Sequence, residues 1–457
     1  MHRSKILVWA LLLTLLAAAS IVPLAMSNVP GQVSERINVS SRPTIQIYDT
    51  VDPKNLVRHD GYAIIYYWDK TNETTEPIFV SIYDVEEGEM VVSELHVDDS
   101  SDVGYVYPVA AWHIAANQLL IVWQDVSAGY GKVYGRFVSL GGTLGSKISI
   151  ATSQGPGFLS YVRIASGAQK ALVVFKDSSQ NYRVYGCLVS SDGSVQGPFQ
   201  ISTDGAYYPH VAYDSSSGKF LVVWGVSGFQ MKFRWVDEDG NLGPETSLGS
   251  ANTGFLRPAK LISVGQGKFA LAYIGHDNEH LNVTIISAGS GSHTDVVVST
   301  KYTKYLDMAY AFGKIYLVYE GKSGNEYNIY SAVVTTSGAV ESSDNPICTA
   351  SGNQRYPNLD FDGEKLVAVW KDHRNSAYRA DVYGATIKTD GQLDREVEVD
   401  VNGGQTGKKY VQMIGLEDGY SMVIFKEYDE SGNYLGTYGR IIHSPEIPEL
   451  ELLLKDQ

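Results

Sequence analysis

Eight times along the chain an apolar run ends in an aromatic residue: Trp68, Trp123, Phe175, Trp224, Tyr273, Tyr319, Trp370 and Phe425, at spacings of 46 to 55 residues. A period of this size belongs to repeat architectures, in which a unit too small to bury its apolar face alone stacks on its neighbours. A Gly precedes six of these aromatics by six or seven positions: Gly61, Gly218, Gly267, Gly313, Gly363 and Gly419, with Asn117 in the second unit. Both residue types tolerate positive φ, so the position marks a hairpin turn feeding the apolar strand. After the aromatic comes Val-Tyr-Gly or a variant, at Tyr134, Tyr185, Tyr330, Tyr383 and Tyr438, and a second Gly follows by eight residues at Gly142, Gly193, Gly338 and Gly391. Such fixed spacing spells four short strands per unit. Strand a precedes the first turn, b ends at the aromatic, c carries Val-Tyr-Gly, and d follows the second turn.

Four antiparallel strands repeated eight times predict an all-β chain: an eight-bladed β-propeller of four-stranded antiparallel blades, with seven blades as the alternative count. A string of β-sandwiches would need about seven strands per roughly 100 residues. The last unit has Glu446 in place of its second Gly, and Pro445 and Pro448 interrupt it. Pro cannot donate to a sheet ladder. An N-terminal strand is therefore expected to complete the last blade and close the ring, and residues 44–48 (TIQIY) are assigned to it, with residues 450–454 as the rival. The resulting division is 1–27 signal peptide or signal anchor, 28–43 linker, 44–444 propeller and 445–457 tail.

The seventh unit reads Asp362-Gly363, then an apolar run to Trp370, then Lys371-Asp372-His373-Arg374, Val382-Tyr383-Gly384 and Thr389-Asp390-Gly391. This resembles the tandem repeat of exported prokaryotic β-propellers, whose pattern runs FDG, LVVWxDxR, VYGxR and a DG turn. The resemblance covers most of residues 55–443 and implies the fold. It implies no single chemistry. Asp-box, quinoprotein-docking and kelch signatures are missing from the sequence.

Arg3 and Lys5 precede 21 residues without a charge, and Ala25-Met26-Ser27 offers a small-x-small cleavage site. That is the pattern of a secretory signal, long enough to stay as an anchor. The rest of the chain is expected outside the cytoplasm, secreted or anchored, with the membrane touched only through that segment. Export makes the sequons at Asn38, Asn72 and Asn282 candidate glycosylation sites. Cys187 and Cys348 lie three repeats apart, too far for a disulfide, and read as buried free thiols. A net charge of −15 argues against a nucleic-acid partner.

Strand alternation puts the b–c loops and d–a crossovers on one face. The b–c loops are longest in units seven, eight and one, which a closed ring makes neighbours. Loops on a rigid scaffold are where binding usually resides. Asp372, His373, Arg374, Tyr428, Asp429 and Asn433 are accordingly the candidate ligand-binding residues. Asp69, Asp125, Asp177, Asp372 and Glu427 recur just after the aromatics, and their repetition points to capping of turn amides rather than catalysis. No catalytic residue is assigned. Residues 276–280 and the Asp98, Asp99, Asp102 group look most like metal ligands, yet they read as solvated loops, and no metal or cofactor is expected. The functional expectation is a non-catalytic exported propeller binding a carbohydrate or protein partner at the cell surface through one loop face. The alternative is a carbohydrate-active enzyme, hydrolase or lyase, with carboxylates at the top centre of the ring.

Overall fold

The computed structural model describes residues 32–47, 54–70, 76–98, 107–126, 129–228, 230–248, 259–275 and 280–444. They form eight antiparallel sheets around a ring, an eight-bladed β-propeller. The only helix among the described residues is one 3-10 turn, Ser178–Gln180. Blade 1 has strands a Leu56–His59, b Tyr62–Asp69, c Ile78–Asp84 and d Glu89–His96. Blade 3 comprises Leu159–Ser166, Lys170–Asp177, Arg183–Ser190 and Val195–Gln200. Blade 4 comprises Tyr207–Asp214, Lys219–Val226, Gln230–Asp237 and Thr246–Leu248. Blade 7 comprises Gln354–Phe361, Leu366–Asp372, Asp381–Ile387 and Leu393–Asp400, and blade 8 begins with Gly407–Gly415, Tyr420–Tyr428 and Tyr434–His443.

The apolar b strands are buried along almost their whole length because both of their faces meet a neighbouring blade. Leu120 and Val122 of the second blade pack with Val173 and Phe175 of the third, and the pattern continues round to Leu56 and Tyr67 against Met422 and Ile424. Each such side chain contributes about 1.5–3 kcal/mol on burial, so these inter-blade cores hold the ring together. Gly61 takes a φ of +76° at the first a–b turn, as its position in the repeat predicts. The Gly of Val-Tyr-Gly has a different cause: a Cβ on Gly384 would sit 2.8 Å from the backbone oxygen of Ala368 in the adjoining strand.

Two details differ from the sequence reading. The aromatic of unit one that pairs across to strand c is Tyr67, opposite Phe79, as Phe175 lies opposite Tyr185 and Phe425 opposite Tyr438. Trp68 is one residue further on, so Asp69 falls two past its anchor, in step with Asp125, Asp177, Asp372 and Glu427.

The ring is closed by an N-terminal strand, but not by residues 44–48. Strand c of blade 8 pairs with Ile37–Ser40 (Ile37 opposite Gly439, Asn38 opposite Tyr438) and with Gln32–Val33. These residues, assigned above to a linker, are the d strand. Ile45 and Gln46 instead pair with Asp69 and Trp68, extending the inner strand of blade 1. Residues 45–47 alternate buried and half-open positions, and alternation identifies a half-buried strand without saying which sheet edge it joins. The signal segment, the rest of the TIQIY run past residue 47 and residues 445–457 lie outside the described residues.

Four inner strands bulge at a tyrosine in the left-handed region: Tyr161 (φ +54°), Tyr208 (+47°), Tyr356 (+57°) and Tyr410 (+56°). The a–b register shifts at each of them. All four lie at the end of strand a that faces the b–c loops, in blades 3, 4, 7 and 8.

Candidate functional site

The channel is laced by polar side chains of the inner strands. Lys54 of blade 1 reaches Asp307 of the sixth blade at 2.9 Å, and Lys260 of the fifth approaches the same carboxylate at 3.5 Å. Asn55 and Gln412 exchange bonds, the Asn55 amide donating to Gln412 Oε1 at 2.6 Å. Asp307, Asn55 and Gln412 are all buried.

Beside this lacing, lysines that follow an anchor meet the tyrosines in blades 3, 7 and 8. Lys426 Nζ lies 5.3 Å from the rings of Tyr410 and Tyr434 and donates to the Ile45 carbonyl at 2.6 Å. Burial pushes its ammonium down to about 8. Arg355 stands 4.4 Å over Tyr327 and holds Glu320 through two bonds of 3.0 and 2.9 Å. Lys176 of blade 3 lies 4.6 Å from Tyr161, 5.1 Å from Tyr182 and 6.0 Å from Tyr207.

Lys176 also lines a cleft of about 670 Å³ between blades 3 and 4. The b–c loop of blade 3 supplies Tyr182, the d–a crossover supplies residues 204–206, and blade 4 supplies Tyr207, Ser227, Gln230 and Lys232. Two tyrosines are presented here, Tyr182 at 51% exposure and Tyr207 at 45%. The walls are held in place. Asp177 caps the 3-10 turn by accepting from the Ser179 amide, Asn181 and Tyr182 both take left-handed φ (+56° and +60°), and the Tyr182 carbonyl accepts from the Ala206 amide. Lys232 pairs with Asp204 at 2.6 Å and Glu245 at 2.7 Å. A cleft of this size, with aromatic platforms and a few fixed polar groups, suits a small organic ligand.

The six residues expected at the binding rim are close to one another, and their polar groups are largely committed within the protein. Asp372 is buried and accepts from Trp370 Nε1, the Arg374 amide and Arg374 Nη2. Arg374 also pairs with Glu396 and stacks 3.8 Å over Tyr383. His373 Nδ1 bonds the Ser376 carbonyl, and burial lowers its pKa. Asp429 and Asn433 close their own hairpin, Asn433 donating from both its amide and Nδ2 to Asp429. Tyr428 is half-buried beside Lys409. The two long loops do meet, Arg379 pairing with Glu430 at 3.4 Å, and Tyr378 of the blade 7 loop is exposed. Most of the third loop, residues 71–75, is outside the described residues.

Of the sequons, Asn38 is exposed on the closing strand, Asn72 is not among the described residues, and Asn282 is buried in mid-strand with its Nδ2 donating to the His280 carbonyl. Asn282 therefore has no room for a glycan in the folded protein. Residues 276–279, Asp99 and Asp102 lie outside the described residues; Asp98 accepts from the Ile78 amide and from His96. The cleft escaped the sequence reading because its walls come from four separated segments. The Tyr207-Tyr208 doublet just past a crossover and the lysine at anchor-plus-one were its only visible signs.

No protein-family model and no curated protein matches the chain. Among solved structures the chain is similar to a prolyl endopeptidase (10% identity, TM-score 0.48), covering 85% of this chain and 54% of that one, so it spans about half the endopeptidase's length. It is similar to the BP39L lectin of Burkholderia pseudomallei (13%, TM-score 0.49, 73% of this chain and 98% of the lectin). The polysaccharide lyase Uly1 is similar at 10% identity and TM-score 0.49, over 91% of this chain and 100% of the lyase. Similarities at this level carry no ligand or chemistry across.

Proposed function

We propose that this chain is a non-catalytic propeller, exported and held at or released from the cell surface, that binds a carbohydrate through its b–c face. The observation that carries the reading is the cleft between blades 3 and 4, where Tyr182 and Tyr207 offer open rings beside fixed polar groups. Sugars present apolar C–H faces and a rim of hydroxyls, and such a surface meets both. Tyrosine supplies that contact at low cost in rotamer entropy. Two buried carboxylates of the sixth blade favour binding over hydrolysis or elimination: Asp307 is enclosed by Lys54 and Lys260, and Glu320 is clamped by Arg355. The candidate rim on blades 7 and 8, across the ring from this cleft, takes no part in the binding, since Asp372, Arg374, Asp429 and Asn433 are occupied within their own loops.

A glycan array probed with the purified protein tests this. Binding is expected to fall at least tenfold in Tyr182→Ala and in Tyr207→Ala, and to persist in Tyr378→Ala. If no glycan binds, or if both cleft variants bind as tightly as the wild type, the reading is overturned.

A further inference from the structure

Several cations sit against tyrosine rings on this face, Lys371 (4.6 Å from Tyr356) and Lys409 (4.6 Å from Tyr428) among them, and two of the best enclosed have an oxygen partner. Lys426 has the Ile45 carbonyl and Arg355 has Glu320. In the cleft wall itself, Lys232 is shared by Asp204 and Glu245. Lys176 is different. The residue is 8% exposed, its ammonium lies within 6.0 Å of three phenol rings, and among the described residues no carboxylate or carbonyl accepts from it. A cation–π cage offsets part of the cost of burying a charge, by about 0.5–2 kcal/mol, and leaves the directional N–H bonds unmet. The ammonium opens on the cleft, and an anionic group bound there would supply the partner that the protein does not. Burial also lowers the Lys176 pKa.

The geometry points to an anionic ligand group: we infer that the cleft takes a saccharide bearing a carboxylate, with Lys176 as its cation. This rests on the carbohydrate reading above and names the class of sugar. The ammonium is reached through the same 670 Å³ cleft that Tyr182 and Tyr207 flank, so one sugar ring can stack while its carboxylate meets Nζ. Gln230 and Ser227 stand in the wall as partners for hydroxyls, and Asp204, largely open to water, is already engaged by Lys232. The protein's net charge of −15 repels dense polyanions at long range, which favours isolated carboxylates of uronic acid residues over heavily sulfated chains. Attraction then comes from one desolvated contact, whose salt dependence is weak.

The test uses the purified protein and four acidic polysaccharides (pectin, alginate, glucuronoxylan and hyaluronan), each beside its carboxyl-reduced form, with polyglutamate as a further probe. At least one acidic polymer is expected to bind tenfold or more tightly than its reduced form. Lys176→Met, which keeps length and apolar bulk inside the cage, should erase that ratio, and Lys176→Arg should keep most of it. Equal binding of acidic and reduced polymers, or an unchanged ratio in Lys176→Met, overturns the inference and leaves the carbohydrate reading standing. Binding of polyglutamate as tight as that of the best polysaccharide overturns the commitment to a sugar. If nothing on the panel and no neutral glycan of the array binds, the carbohydrate reading itself fails.

Discussion

Arg36 donates from Nη2 to Asp400 Oδ1 over 2.6 Å and from Nη1 to Glu427 Oε2 over 2.7 Å. Arg36 precedes the strand that completes blade 8, whereas Asp400 ends the outer strand of blade 7. The contact therefore fastens the ring's non-covalent closure to the blade before it. Lys408 is fully buried beneath the pair, 3.4 Å from Asp381 and Asp400 and 3.6 Å from Glu427, and Arg440 completes the group by pairing with Asp400 at 2.9 Å.

Arg36→Ala should weaken closure. Breaking a buried ion pair costs about 3–5 kcal/mol, and about 2 kcal/mol is expected here because Lys408 and Arg440 remain and a third of the Arg36 side chain faces water. A lower urea midpoint is the readout. An unchanged midpoint would show that the strand pairing of residues 37–40 suffices without the ion cluster.

The same cluster sets an acid dependence. Burial pushes the Asp400 and Glu427 carboxyls up, but hydrogen bonds from Arg36 and the charges of Arg36 and Lys408 outweigh it, and both are held below their ordinary values. A depressed carboxylate contributes stability that is complete above its unfolded pKa, about 4, and is lost as pH falls through the folded value. Thermal midpoints of the wild type should therefore hold above about pH 5 and drop below about pH 4. The drop should be smaller in Arg36→Ala, and parallel curves for the two proteins would contradict this.

Gly384→Ala should cost about 2–3 kcal/mol, since its Cβ meets a strand carbonyl that cannot move without breaking the ladder. Gly135→Ala, at the matching position of blade 2, meets the tip of the Ile150 side chain at 2.9 Å, which can turn aside. The order of the two denaturation midpoints is the check, and the reverse order would refute the account.

Cys187 and Cys348 are free and buried, and burial pushes their thiols up to about 12 and about 11. The thiolate is the reactive form. Neither should react with Ellman's reagent in the native protein at pH 8, and both should react once it is unfolded in guanidinium. Stoichiometric labelling of the native protein would contradict the burial.

Asp372→Ala should lower stability by about 3 kcal/mol, because Trp370 Nε1 and Arg374 lose their shared acceptor. Glycan binding per folded molecule should stay unchanged. Lost binding at unchanged stability would restore Asp372 as a ligand contact.

Much of this arrangement was legible in residue spacing. The Gly ahead of each aromatic takes positive φ at Gly61, Gly218 and Gly419, and the recurring acid proves to be a turn cap at Asp177. The closing strand was also within reach: Ile37, Val39 and Ser40 repeat the apolar-x-apolar-Ser pattern of Val296, Val298 and Ser299 at the end of another d strand. What misled was the matching alternation of Ile45 and Ile47, both buried, in the extended inner edge of blade 1.

Local chemistry was enough to specify the strands, turns and count of blades, because backbone preference and apolar period act over a few neighbouring residues. It did not specify that Lys176 would share one cage with Tyr161, Tyr182 and Tyr207, or that a carboxylate at 400 would receive an arginine from position 36. Those relations exist only once the ring brings distant segments to a common mouth and a common edge. There a charge meets its partner, or is left without one, according to which blades are neighbours.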